Sequence, residues 1–244
     1  MLQAIQDIFR KSGVDFFLVG ALARDIQLSA KPEFAAKRKT NDVDLAILLD
    51  TEEQFNQIKK VLLATGDFEE IPNNALKVKY KKIIELDLLP FGGIESEDRH
   101  LLLKGGALVT LDMSGFREAF LFVERHTLAE GLSLNICPLE GLVLLKLIAH
   151  DEDSSRSKDI TDIEHLIEVY FELNDTEIYT TYFDVMPLYD TNTIIYLQLV
   201  SARVIGRKMK HLLQGNTTVI DKLSRILSKR QTEAWQAMKA GLLD

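Results

Sequence analysis

Apolar residues recur along this chain with two different periods, and the change from one to the other divides it. Leu2, Ile5, Ile8 and Phe9 fall at helical spacing, so a helix is expected over residues 2–12. Strands follow at about 15–19 and 42–49. A helix at about 51–65 opens on Thr51, a favoured N-cap, with Glu52 and Glu53 in its first turn, where acidic groups complement the helix dipole. Leu76 to Tyr80 and Ile83 to Leu89 read as two paired strands, with Lys81 and Lys82 forming the turn between them. Further short strands are expected around 107–112, 120–124 and 132–136. After Pro138 the pattern becomes helical, through about 139–150, 157–172, 191–213, 217–228 and 230–240. The expected division is therefore a mixed first domain over residues 1–136 and a helical domain over 137–244, with no internal repeat and no low-complexity tract.

Three places break the pattern in a way that packing does not require. In Thr40-Asn41-Asp42-Val43-Asp44-Leu45-Ala46-Ile47, two aspartates stand at the head of an apolar strand. Alternation puts Asp42 and Asp44 on one face and Val43, Leu45 and Ile47 on the other. Like charges so close repel unless a cation lies between them, and hard carboxylate oxygens suit Mg²⁺. An Asp-x-Asp pair also occurs in turns and on solvated strand faces. Upstream, the apolar stretch Phe16-Phe17-Leu18-Val19 ends at Gly20 and runs into a helix-like segment, Ala21-Leu22-Ala23-Arg24-Asp25. A glycine there lets backbone approach a ligand closely, and the next helix's first N–H groups favour phosphate; an ordinary strand-to-helix turn would look the same. Downstream, Ile83-Ile84-Glu85-Leu86-Asp87-Leu88-Leu89 sets a third aspartate, Asp87, within an apolar run, where a carboxylate without a partner would be costly to bury; a solvent-face residue is the other reading.

Taken in this order, the three features resemble the nucleotidyltransferase (polymerase β-like) superfamily, and within it the AbiEii-like branch, which includes toxins of bacterial toxin–antitoxin pairs. The resemblance continues into Leu144-Leu145-Lys146-Leu147-Ile148-Ala149-His150 and Arg156-Ser157-Lys158-Asp159-Ile160-Thr161-Asp162, similar to that branch's lysine helix and basic-acidic segment. It implies an α+β fold, a mixed β-sheet flanked by helices and followed by a mostly helical C-terminal domain. It also implies transfer of a nucleoside monophosphate from an NTP to an RNA (tRNA) or protein hydroxyl. Asp42, Asp44 and Asp87 would hold two Mg²⁺ ions, with Mn²⁺ as the alternative. Gly20, Ala21, Arg24, Lys146, Arg156 and Lys158 would meet the nucleotide phosphates, and Asp159 and Asp162 would orient the basic groups. A cognate antitoxin is among the implied partners. The sequence departs from the family in two ways: Ala21 stands where serine or a second glycine is common, and the gap from Gly20 to Asp42 is long, filled by Gln27 to Lys39. Those departures motivate the alternative of an inactive nucleotide-binding or interaction protein of the same fold.

Composition narrows the classes further. The net charge of −8 argues against a surface that binds nucleic acid indiscriminately. Cys137 is the only cysteine, which rules out an intrachain disulfide and a thiolate metal cluster. No apolar run is long enough to span a bilayer and the N-terminus reads as an amphipathic helix, pointing to the cytoplasm with no membrane partner. Lys146, set among apolar neighbours, reads equally as a snorkelling side chain and as a phosphate ligand. Asp159 reads equally as a first-turn dipole partner and as a site residue. Arg203, Arg207 and Lys210, with Lys208 and His211 adjacent, line one helix face; a solvated face is the first reading, and steering of a polynucleotide the second. Lys77, Lys79 and Lys81 read as the wet face of an edge strand. The scattered histidines show no zinc spacing.

Overall fold

The computed structural model describes residues 1–34, 42–103, 109–128 and 131–244. They form two compact units. The first holds the described residues up to Gln27 and from Asp42 to Pro138, the second Leu28–Phe34 and Leu139–Asp244. Lys37, Arg38 and Lys39 of the long insertion, and the first residues of the strand expected at 107–112, lie outside the described residues.

The first unit runs α1 (Leu2–Lys11), β1 (Phe16–Val19), α2 (Gly20–Leu28), β2 (Asp42–Leu48), α3 (Glu52–Ala64), β3 (Phe68–Glu70), β4 (Lys77–Tyr80), β5 (Ile84–Phe91), β6 (His100–Leu103), β7 (Val109–Asp112), α4 (Phe116–Phe120), β8 (Glu124–Thr127) and β9 (Ser133–Ile136). Thr51 caps α3 in a capping box with Gln54, the start that the residues at 51–53 foretold. Among the described residues seven strands form one mixed sheet in the order β3-β4-β5-β2-β1-β9-β8, and β6 pairs with β7 apart from it. β2 lies antiparallel to β1 and parallel to β5, so the acidic strands are central neighbours. Lys81 and Lys82, both at positive φ, turn the chain from β4 into β5.

Alternation gives the central strands one uniformly apolar face. Val43, Leu45, Ile47, Val78, Leu86 and Leu88 are at most 3% exposed, each contributing about 1.5–3 kcal/mol by burial. The opposite face changes character along its length. It begins with Asp42, Asp44, Glu85 and Asp87 and continues as Ala46, Leu48, Leu89 and Phe91. Phe17 of β1 meets Phe91 edge-on at 5.7 Å, and Phe120 of α4 lies 5.6 Å from Phe91 and 5.8 Å from Phe17. Helix α4 thus covers the apolar end of this face. A strand expected around 120–124 is therefore corrected to the end of a short helix, with β8 starting at Glu124. The run Phe120-Leu121-Phe122-Val123 is continuously apolar, and periodicity cannot tell a buried strand from a buried helix turn. β3 and β6 were not expected; at three and four residues they carry little pattern.

The second unit is helical among its described residues: α5 (Leu139–Glu152), α6 (Ser157–Leu173), α7 (Asp175–Thr180), a 3₁₀ segment at Phe183–Leu188, α8 (Tyr196–Leu213), α9 (Thr217–Ser228) and α10 (Glu233–Leu243). Helix α8 begins at Tyr196 rather than near 191, because Asp190 accepts hydrogen bonds from the backbone and side-chain nitrogens of Asn192 and closes a turn there. α8 and α10 approach until their backbones touch. A Cβ on Gly206 would lie 2.1 Å from the Met238 carbonyl oxygen, and one on Gly241 would lie 2.0 Å from that of Arg203. No described helix is long and apolar enough to cross a membrane.

Candidate functional site

Strand register builds the acidic patch. Across β4, β5 and β2, Lys77 stands opposite Asp87, and Asp87 opposite Asp44; one step along, Lys79 stands opposite Glu85, and Glu85 opposite Asp42. Residues opposite one another project from the same face. The result is two parallel rungs, each a lysine followed by two carboxylates. Asp42 is exposed at the strand's first residue, while Asp44 and Asp87 are half-buried. Lys77 Nζ lies 2.9 Å from Asp87 Oδ1 and 3.8 Å from Glu85 Oε2, and Lys79 Nζ lies 3.6 Å from Glu85 Oε1. Lys77 and Asp87 thus form an ion pair across the β4–β5 seam. Burial raises the Asp87 carboxyl above its ordinary range, Lys77 pulls it down, and Asp42 and Glu85 push it up again; the net displacement is upward. Lys77 is opposed by its own burial, but Asp87, Glu85 and Asp42 together hold its pKa above the usual lysine value.

Gly20 shapes the other side of the patch. Val19, the last residue of β1, is the register partner of Asp44, and Gly20 follows it at φ +66. A Cβ on Gly20 would lie 1.9 Å from Asp44 Oδ2 and 2.6 Å from Asp44 Cγ. The carboxylate therefore occupies the space a side chain would need, and the backbone conformation is one that glycine adopts without strain. Asp44 is turned toward Gly20 and Asp87 toward Lys77, and the three aspartates do not form a cluster whose oxygens all lie within 4.8 Å of one another. Three carboxylates on one face offer the hard oxygen donors that suit a divalent cation. Two surface clefts of this unit, along Arg10, Asp15 and Arg125 and along Lys59, Lys60 and Glu70, are lined by none of these carboxylates.

Ala21 follows Gly20 in the first turn of α2. Arg24, one turn further, directs Nε and Nη2 at Asp25 Oδ1, at 3.0 and 2.8 Å. Glu85 lies on the strand face of Asp87, as alternation along β5 puts it, whereas Lys77 and Lys79 were the residues whose place the sequence concealed. Lys77 faces carboxylates because β4 pairs antiparallel with β5 in a register that sets it opposite Asp87. Register between two strands is not written in the pattern of either one.

In the second unit a lysine-centred network forms between α5 and α6. Lys146 Nζ donates to Asp159 Oδ1 at 2.8 Å and to Asp162 Oδ2 at 2.7 Å, and Arg156 Nε donates to Asp159 Oδ2 at 2.7 Å. Lys146 and Asp159 side chains are only 11% and 6% exposed, so Lys146 is held by ion pairs and does not snorkel. Asp159 is opposed by burial, yet Lys146 and Arg156 hold its carboxyl below the ordinary range. Lys158 lies exposed in the first turn of α6. The basic face of α8 is largely engaged: Arg203 pairs with Asp244, Arg207 with Asp184 and Asp244, and Lys208 with Glu140 and Glu177. That corrects its reading as a solvated stripe, because the C-terminal Asp244 and the 3₁₀ segment fold back onto it.

Comparison with known proteins adds a family to this geometry. The profile described as "Nucleotidyl transferase AbiEii toxin, Type IV TA system" matches residues 10–244. The chain belongs to the AbiEii family. The AbiEii match spans both units. No curated protein matches the chain. Three solved structures are similar to this AbiEii chain at low identity. Lincosamide antibiotic adenylyltransferase LnuA, lincomycin-bound, is 15% identical with a TM-score of 0.39, covering 66% of this chain and 93% of its own. The antibiotic-resistance factor ANT(2'')-Ia is 13% identical with a TM-score of 0.39, covering 85% and 90%. An antigenic nucleotidyltransferase-like protein from Paracoccidioides brasiliensis is 17% identical with a TM-score of 0.40, covering 86% and 88%.

Proposed function

We propose that this AbiEii-family protein transfers a nucleoside monophosphate from an NTP to a hydroxyl of an RNA, such as tRNA, or of a protein, and that it does so as the toxin of a toxin–antitoxin pair. The observation that carries this reading is the parallel register of Asp44 with Asp87 beside a glycine whose absent Cβ makes room for the Asp44 carboxylate. Asp42, Asp44 and Asp87 would hold two Mg²⁺ ions, or Mn²⁺ in their place. When bound, the ions supply charge stabilisation of the attacking and leaving oxygens in an in-line displacement at the α-phosphate.

The chain's own residues have separate tasks. Asp87, on the acidic face opposite Asp44, accepts the proton of the attacking hydroxyl as general base. The acceptor oxygen forms a bond to the α-phosphorus, the bond to the β-phosphate bridging oxygen breaks, and pyrophosphate carries away the electron pair. The backbone at Gly20 and Ala21 presents N–H groups at a helix start, suited to phosphate. Arg24 supplies positive charge for the nucleotide, while within the second unit Asp159 and Asp162 hold Lys146 in place and Asp159 holds Arg156. The test is incubation with Mg²⁺, each α-labelled NTP, and total tRNA or cell lysate. Transfer of label to an acceptor by the wild type, lost in the Asp42→Asn/Asp44→Asn double variant, is the expected result. No labelled acceptor, or equal labelling by the double variant, overturns the proposal.

A further inference from the structure

Lys77 sits where the acidic face most needs a cation. Its ammonium lies 2.9 Å from Asp87 Oδ1, on the same rung as Asp44. The pairing joins two opposite charges on the acidic face, a contact that another cation can replace. A second carboxylate is already within reach: Glu85 Oε2 is 3.8 Å from the same nitrogen. Glu85 in turn has Lys79 at 3.6 Å, so the next rung has the same make-up.

We propose that Lys77 is a tethered counter-ion of Asp87, which a divalent cation displaces toward Glu85 when it binds the acidic face. This rests on the reading of Asp42, Asp44 and Asp87 as metal ligands. Before a cation arrives, the ammonium pairs with the third carboxylate and holds it in place. On arrival it competes, because two cations on one carboxylate oxygen repel. Glu85 makes the exchange reversible by receiving the displaced charge, so the half-buried Lys77 keeps a carboxylate partner throughout. Lys77 is thus a positioning residue that sets how readily the face takes up metal.

The test is Mn²⁺ binding to the full chain without nucleotide, read from the free-ion electron paramagnetic resonance signal. Removing the competing charge with Lys77→Met should tighten Mn²⁺ binding by about tenfold or more, given the strength of charge repulsion at such distances. Lys77→Arg, which keeps the charge, should bind close to wild type. Glu85→Gln should weaken binding more in the wild type than in the Lys77→Met background, because only with Lys77 present does Glu85 receive it. Lys77→Gln serves in place of Lys77→Met if the latter does not fold. Weaker or unchanged binding in the neutral variants, or equal Glu85→Gln effects in both backgrounds, overturns the proposal. The Asp42→Asn/Asp44→Asn variant separates the two readings. If it binds Mn²⁺ like wild type, the metal-ligand reading itself falls; if it loses binding while the neutral Lys77 variants do not tighten it, only the role of Lys77 falls.

Discussion

Substituting Gly20 by alanine separates backbone strain from intrusion into the acidic patch, because the chain contains its own control. Gly13 and Gly20 have nearly the same backbone angle, φ +65 and +66, but a Cβ on Gly13 meets nothing within 4 Å. Forcing alanine into the left-handed region costs about 1–2 kcal/mol at either position. At Gly20 the added Cβ lies 1.9 Å from Asp44 Oδ2, whereas ordinary contact begins at 3.4 Å, a shortfall of 1.5 Å (3.4 less 1.9). The carboxylate must therefore rotate away. Leaving its preferred rotamer adds about 0.5–1.5 kcal/mol. For a chain of this size each kcal/mol lowers the melting temperature by roughly 2–4 °C. Gly13→Ala should thus melt about 2–8 °C below wild type, with Gly20→Ala a few degrees lower still. The larger effect is on function. Displacing a catalytic group by about 1 Å costs roughly a hundredfold in rate, so Gly20→Ala should lose transfer activity and Mn²⁺ affinity while Gly13→Ala keeps both. Thermal melting, Mn²⁺ titration and label transfer from NTP measure the three quantities. If the two variants melt alike and both bind Mn²⁺ like wild type, the argument that Gly20 exists to admit Asp44 is wrong.

Other consequences can be checked by melting alone. Lys146→Met leaves Asp159 and Asp162 facing each other with their shared ammonium gone, and breaking a buried pair in this way should cost about 3–5 kcal/mol, seen as a fall in melting temperature. Asp159→Asn should destabilise most at neutral pH. Its folded carboxyl titrates below the unfolded value of about 3.9, so its contribution is present above that value and fades as the pH falls through the lower folded one. A wild-type-to-variant difference that shrinks only in that acid range is expected; one that shrinks on raising the pH would contradict the ion-pair account. Gly206→Ala should destabilise despite alanine's helix propensity advantage of about 1 kcal/mol, since the methyl would meet the Met238 carbonyl oxygen at 2.1 Å. A variant that melts higher than wild type would show that α8 and α10 can separate without loss.

What the sequence determined by itself was local. Helical spacing placed α1, α3, α5, α6 and α9 within a residue or two, because the period of apolar positions is a property of each segment alone. Alternation at Asp42-Val43-Asp44 was enough to put the two carboxylates on one face. The AbiEii resemblance was carried by the same short segments, and the family match agrees with it. Other features depended on partners distant in sequence, and there local pattern was silent. Lys77 passed for an edge-strand lysine because only the register of β4 with β5 sets it opposite Asp87. Phe120 belonged to a helix because Phe17 and Phe91 offered a surface for its ring. The arginines of α8 found Asp244 and Asp184 because the chain returns to that face. Gly206 and Gly241 stand where two helix backbones meet, a contact that no local pattern marks. Periodicity tells which side of an element seeks burial; it does not tell what waits there, because pairing and register are decided by the summed packing of residues far apart along the chain.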